Sequence, residues 1–385
     1  MINLPLKGLL VLEFSQYLSG PSAGLRMADL GARVIKIERP GGGDPSRKMA
    51  LKNLWAGDDS VLFHTINRNK ESFAADLKNA DDLKLVKRLI EKADVMTHNF
   101  RPGVMEKIGL AYSDVKKINS RIIYTEITGY GKRGPWKNKP GQDLLVQALS
   151  GLAYTTGNKN DHPMPFGLSV ADSICGIHAV QGILAALIRR QKTGAGAYIE
   201  LSLIESILNF QFEILTTYYN TDAKIERSEV SNGNPLLGAP YGIYKTADGY
   251  MALAMMDLNI LHEALGLKLV NGQKYSEFKN RDHIKRGIEK LVIQKPTNFW
   301  IEKLKAYNLW ASPVLNWKEM VEQNAYKVLN MEQPLVLKDG SEIITTRCPI
   351  NINGAKLYSS KPAPALGEHT NSIKDELLNI QNGFA

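Results

Sequence analysis

Two apolar runs near the N-terminus, Lys7–Phe14 (KGLLVLEF) and Arg33–Glu38 (RVIKIE), read as buried strands. Between them, after a turn at Gly20-Pro21, Ser22–Leu30 reads as a helix capped by Gly31. Strand, helix and strand in this order call for a parallel pair, because parallel strands must be joined by a crossover. That unit constrains the fold more than any other feature of the chain. The same rhythm then continues. A strand at Ser72–Asp76 is followed by an amphipathic helix over Leu77–Ala93, with Leu83, Val86, Leu89 and Ile90 on one face. A strand at Asp94–Thr97, a helix holding Met105, Ile108 and Leu110, and a strand at Arg121–Ile127 come next. The expected class is therefore α/β, a doubly wound parallel sheet.

After Tyr198–Ser202, a strand, one long helix is expected over Leu203–Tyr219. The texture then changes. Ser228–Pro240 is rich in Gly, Asn and Pro, and Tyr241–Ala254 has a hairpin pattern turning at Asp248-Gly249. Helical segments follow at Leu258–Leu265, Asp282–Ile293, Thr297–Tyr307 and Trp317–Gln323. Strand patterns return at Gln333–Lys338, Glu342–Thr346 and Ile350–Ile352, ahead of a last helix at Asn371–Ile380. The expected division is a large domain over 1–220, a small α+β domain over 225–320, and a segment, 330–385, that rejoins the large domain. Three short strands cannot form a core unaided.

Length and composition narrow the function. The chain has 385 residues, of which 44% are hydrophobic and 23% charged, as in ordinary globular proteins. No uncharged apolar run of 18 residues is present, so no membrane-spanning helix is expected. The N-terminus lacks a signal-peptide pattern, and two cysteines, Cys175 and Cys348, fit a reducing compartment; the expected location is cytoplasmic. The net charge of +9 favours anionic partners. Its Lys and Arg are scattered, with no basic arm, which argues against nucleic acid and for small phosphates and carboxylates. Glu38 after the second strand invites a nicotinamide-dinucleotide site. The loop Gly20-Pro21-Ser22-Ala23-Gly24 lacks the G-x-G-x-x-G pattern, and Pro21 removes an N–H that a phosphate would need.

The chemistry concentrates in Pro165–Arg190 (PFGLSVADSICGIHAVQGILAALIRR). It opens with small polar residues, reaches one acid at Asp172, and continues as a helix stopped at Gly194. Asp172 thus stands at or just before the N-terminus of a buried helix, where negative charge is favoured. The ordinary role of such an Asp is to cap the helix. Gly167, Ser169, Ala171, Ser173 and Gly176 leave room around it, however, as a carboxylate that attacks a bulky substrate requires. Cys175, one turn later, reads as a packed core thiol, and Asp143 as the cap of its own helix.

These blocks resemble the class III CoA-transferases, the CaiB/BaiF family that includes formyl-CoA transferase and alpha-methylacyl-CoA racemase. The likeness runs through GLLVLEFSQYLSGPSAGLRMADLGARVIKIERPGGGD, NRNKESFAADLK, ADVMTHNFRPGVMEKIGL, GQDLLVQALSGLAYTTG and VADSICGIHAVQGILAALIRRQKTGAGAYIELSLIES, and on to PYGIYKTADGYMALA and APALGEHT. It implies a Rossmann-like large domain and an interlocked-ring homodimer. It implies acyl-CoA and a carboxylic acid as substrates, with no permanently bound cofactor and no metal, and Asp172 as the residue acylated and then carrying CoA. It assigns CoA contacts to Leu18, Arg39, Ala75, Leu77, Lys78, Asn99, Phe100, Arg101, Lys107, Lys139, Gln142 and Asp143. Lys107 replaces the arginine of formyl-CoA transferase, and Pro140 stands where that enzyme has a lysine, with Lys139 adjacent. A loop from Gly233 to Gly238 is the candidate cover. The racemase branch needs two bases, and uses a His-Asp pair where this chain has Gln142-Asp143. Gln142 accepts no proton at neutral pH, so CoA transfer is expected, to a small acid, with dicarboxylic acids such as oxalate and succinate as candidates. A racemase and a non-catalytic CoA-binding protein of the same fold are the alternatives.

Overall fold

The structure, a computed structural model, describes residues 3–222, 224–267, 276–359 and 361–382. Its strands place alternate residues on opposite faces. Leu12, Ile35, Ile37, Phe73 and Met96 are buried on one face with Val86, Leu89 and Ile90. Val11, Val34, Val95 and Ile123 are buried on the other with Met27, Ala28, Ile183 and Leu187. A sheet apolar on both faces must carry helices on both.

The strands are β1 (Leu10–Glu13), β2 (Arg33–Glu38), β3 (Glu71–Ala74), β4 (Val95–His98), β5 (Ile123–Thr128) and β6 (Ala197–Ser202). They form a parallel six-stranded sheet in the order β3-β2-β1-β4-β5-β6. This is the doubly wound order, and its switch point lies between β1 and β4. The helices that concern the site are α1 (Ser19–Asp29), α2 (Val61–Asn67), α3 (Ala80–Lys92), α4 (Asp143–Leu149), α5 (Val170–Thr193) and α6 (Leu203–Phe210).

The chain divides into two units: Met1–Val146, Ser169–Phe210 and Leu329–Ala385 form one, and Gln147–Leu168 with Gln211–Val328 form the other. The first holds the parallel sheet. The second holds the expected hairpin, Gly242–Lys245 with Tyr250–Leu253, extended by a third strand, Ala311–Pro313. Its own core includes Tyr244, Met251, Leu261, Ile288 and Trp300.

Several expectations need correction. Gly20-Pro21 is no turn: α1 already begins at Ser19, and Pro21 lies in its first turn, where a missing N–H costs nothing. The helix expected over Leu203–Tyr219 is two, Leu203–Phe210 and Phe212–Tyr219, parted at Gln211. Helix α2, capped by Ser60 Oγ accepting from Phe63 N at 3.0 Å, stands in a stretch for which no helix was expected. Helix α5 is also long and apolar enough to cross a membrane by length and composition, despite its charged ends. Within the first unit its buried face instead packs on α1 and on the sheet, through Ile183 and Leu187.

The approach of α5 to α1 depends on Gly176. A Cβ there would lie 2.3 Å from Ser22 Oγ and 2.8 Å from Ser19 O. The second of these is backbone and cannot swing aside. Gly176→Ala is therefore expected to part the two helices and cost about 1–3 kcal/mol by urea denaturation. An unchanged midpoint and slope would show that the contact is not tight.

Candidate active site

Residues at the carboxyl ends of parallel strands face the crevice where such sheets bind ligands. The loop after β1, Phe14–Leu18, leads straight into α1. Four buried or half-buried side chains hold it. Lys36 Nζ donates to Ser15 O at 2.7 Å and to Glu13 Oε1 at 3.0 Å. Asp44 Oδ1 accepts from Tyr17 N at 3.1 Å, while Asp44 Oδ2 pairs with Lys36 at 2.8 Å. Lys70 Nζ donates to both oxygens of Glu13, at 3.0 and 2.9 Å, and to Pro21 O at 2.9 Å. Asn99, in the turn after β4, accepts from Gln16 N at 2.8 Å and donates to Gln16 O at 2.7 Å.

Glu13, Lys36 and Lys70 are all buried. Burial pulls the Lys70 ammonium down to about 8 in spite of Glu13 beside it. For Lys36 burial acts the same way, but Glu13, Asp44 and Glu38 together outweigh it and raise its pKa. Gly24 makes the arrangement possible, since a Cβ there would fall 1.7 Å from Glu13 Oε2. The sequence reading missed this group; its signal was Glu13 and Lys36 at strand positions whose neighbours are Val, Leu and Ile, with Lys70 just ahead of β3.

That loop delivers Ser19, whose hydroxyl acts on the Asp172 carboxyl group and draws its pKa down. Asp172 is the third residue of α5, not its cap; the cap position is Ser169. Asp143 was expected to cap its own helix. Its Oδ2 instead accepts from Asp172 N at 3.0 Å, and the first helical carbonyl of α4 is that of Gln142. Asp172 is half-buried. Burial, then the charge of Asp143, push its pKa up to about 6, against the Ser19 hydroxyl. The carboxylate is thus poorly solvated, more basic than usual, and flanked by the N-termini of α1 and α5. Cys175 is buried and pushed up to about 12 mainly by burial, as befits a core thiol.

The other expected contacts lie along the same sheet edge. Leu18 precedes α1 and is half-buried. Arg39 follows β2 and is exposed. Ala75 is buried, its N–H donating to Glu38 O at 2.9 Å, with Leu77 half-buried and Lys78 exposed beyond it. Phe100 stacks on His98 at 6.1 Å, and Arg101 and Lys107 are exposed. Gln142 and Lys139 are exposed at the end of the loop that follows β5. The amide of Asn99 is engaged by the Gln16 backbone and so positions the β1 loop. Glu38 is buried against Arg47 at 2.7 Å and Ser72 at 2.6 Å, so it is not free to bind a ribose. Gly233 and Gly238 belong to the second unit, where Cβ atoms would press on Tyr241 and on Glu277.

Known proteins bear on this edge and its acid. A sequence model described as CoA-transferase family III matches residues 6–370. Succinate–glutarate CoA-transferase of Agrobacterium fabrum is 33% identical over 98% of this chain and 96% of its own. Human succinyl-CoA:glutarate CoA-transferase is 31% identical over 98% of this chain and 87% of its own. The crystal structure of a CaiB/BaiF family protein from Brucella suis superposes with a TM-score of 0.84, at 30% identity, over 98% of this chain and 100% of that one. Fold, sequence blocks and relatives agree that this chain is an enzyme of the family III, or CaiB/BaiF, CoA-transferases.

Proposed function

We propose that the enzyme moves CoA between small, dicarboxylic acyl groups through covalent intermediates on Asp172. The observation that carries this reading is the Asp172 carboxyl itself: half-buried, held at its own backbone N–H by Asp143, and raised to about 6. At pH 7 such a group is about 90% ionised, yet more basic than a carboxylate in water. That combination suits a nucleophile that must also leave.

An oxygen of Asp172 attacks the thioester carbonyl of the donor. The C–S bond breaks and CoA departs as thiolate, leaving a mixed anhydride. The thiolate then attacks the Asp172 carbonyl carbon, the donor acid leaves as its carboxylate, and Asp172 carries CoA as a thioester. The acceptor carboxylate attacks that thioester and expels the thiolate, forming a second anhydride. Thiolate attack on the acceptor's carbonyl yields the new acyl-CoA and frees Asp172. No net proton is consumed. The Ser19 hydroxyl can donate to the oxyanion that forms at the Asp172 carbonyl. Water must be kept from each intermediate.

The relatives named for succinate and glutarate support a dicarboxylic acceptor, as does the surplus of positive charge. The resemblance supports a homodimer, and exposed Ile177 and Ile188 on α5 offer apolar surface for it. Racemisation is the weaker reading, since Gln142 supplies no second base.

Asp172→Asn is expected to lower CoA exchange between succinyl-CoA and a dicarboxylate by at least about a thousandfold with CoA affinity nearly intact. Exchange at wild-type rate would exclude Asp172 as carrier. In the wild type, kcat/KM should fall as pH drops through about 6, because the attacking carboxylate becomes protonated. Asp143→Asn keeps an acceptor for the Asp172 amide but removes the adjacent charge. The acid limb should then move to lower pH; a limb that stays in place would show that Asp143 does not act on Asp172. Across a panel of acids, dicarboxylates should be preferred, and preference for long fatty acids would overturn the substrate class.

A further inference from the structure

Ser169 stands at the cap position of α5, but its side chain makes no capping hydrogen bond. The start of that helix is held from α4 instead. Asp143, the first residue of α4, accepts from Asp172 N at 3.0 Å. Gln147 lies one turn further along α4, on the same face, and is only 2% exposed. Both ends of its amide engage the chain just ahead of α5. Its Oε1 accepts from Phe166 N at 2.9 Å, and its Nε2 donates to Leu168 O at 3.0 Å. Asp143 and Asp172 both belong to the first unit, and Gln147, Phe166 and Leu168 all belong to the second.

The segment that Gln147 grips has little else to fix it. Phe166 and Leu168 are 46% and 65% exposed, so burial does not hold their side chains. Gly167 between them has φ +85°, in the left-handed region that glycine enters freely, and a Cβ there would meet nothing within 4 Å. Two hydrogen bonds from one buried amide straddle this glycine and remove its freedom. Leu168 is joined to Ser169, whose carbonyl accepts from Ser173 N at 3.1 Å in the first turn of α5. A shift at Leu168 therefore passes along the main chain to Asp172.

We infer that Gln147 is a positioning residue of the enzyme: with Asp143 it sets where α5 begins, and so where the Asp172 carboxyl stands and how much water reaches it. This rests on the reading of Asp172 as the carrier. Misplacing a reacting group by about 1 Å lowers a rate on the order of a hundredfold, so the clamp acts on kcat and not only on folding. Asp143 from α4 and Ser19 from α1 are the groups that act on the Asp172 carboxyl, and a change at Gln147 alters neither.

The test uses two variants of the full-length enzyme. Gln147→Met keeps most of the side-chain volume and removes both hydrogen bonds. Gly167→Ala leaves Gln147 in place and opposes the left-handed backbone that the clamp holds; position 167 is exposed, so this variant serves if the first fails to fold. With succinyl-CoA and a dicarboxylate, kcat should fall about a hundredfold in Gln147→Met and about tenfold in Gly167→Ala, with KM for succinyl-CoA little changed. The acid limb of kcat/KM should move below about 6 in both, because water that reaches the carboxylate lowers its pKa. An acid limb that stays in place, or a defect confined to KM, overturns the inference. Carbodiimide labelling of Asp172, followed against pH by peptide mapping, reads the same carboxyl without turnover. Should Asp172→Asn retain exchange, the carrier reading fails and the labelling still judges the clamp: its midpoint should lie near 6 in the wild type and lower in both variants, and equal midpoints refute it.

Discussion

The carboxylate of Glu13 is buried at the end of β1 and shared between two buried lysines, Lys36 and Lys70. Everything near the acid depends on this arrangement. Ions taken out of water carry a desolvation cost of several kcal/mol each, so removing one partner strands the others. Here the lysines spend their remaining donors on backbone carbonyls, Ser15 O and Pro21 O. The charges therefore act as a frame for main chain. They fix the path from β1 into α1, and that path fixes Ser19 relative to Asp172. Gly24 and Gly176 are the two places where the frame needs side chains removed, one for the Glu13 carboxylate and one for the approach of α5.

On that frame sit two carboxylates with different duties. Asp143 reaches across to the Asp172 amide, so it fixes the first turn of α5 while its charge makes Asp172 more basic. In the proposed reaction a carboxylate that is basic, partly desolvated and carried on a fixed backbone is prepared for attack before any substrate arrives. The same field favours protonation, yet above pH about 6 the carboxylate is still mostly ionised, so in the proposed reaction it can attack in the neutral range without a separate base. Chemistry that passes an acyl group and then a thiol over one carboxyl has no need for proton transfer at each step.

Much of this was legible in the chain. The apolar runs of β1 and β2, with a helix between them and the same rhythm after them, pointed to the parallel sheet, and the helix pattern with small residues around it pointed to Asp172. What could not be read was tertiary. Pro21 looks like a turn residue, and only the packing of Ser19 and Gly20 into the first turn of α1 shows it to be helical. Asp143 has the form of a cap for its own helix, and no local pattern reveals that its carboxylate crosses to another. The amide of Asn99 matches the N–H and C=O of Gln16, 83 positions away, and no local pattern shows that pairing. Lys36 and Lys70 resemble surface charges until the sheet closes around them. For Asp143, Asn99, Lys36 and Lys70 the missing information was a partner distant in sequence.

The central claim is that Asp172 carries the coenzyme during turnover. Its most direct test is to mix the wild-type enzyme with succinyl-CoA, quench with hydroxylamine or borohydride, and map the modified peptide by mass spectrometry. The account predicts a hydroxamate or a reduced side chain at Asp172, dependent on the thioester and absent when free CoA replaces it. An unmodified Asp172 peptide during full exchange activity, or modification confined to another residue, would contradict it.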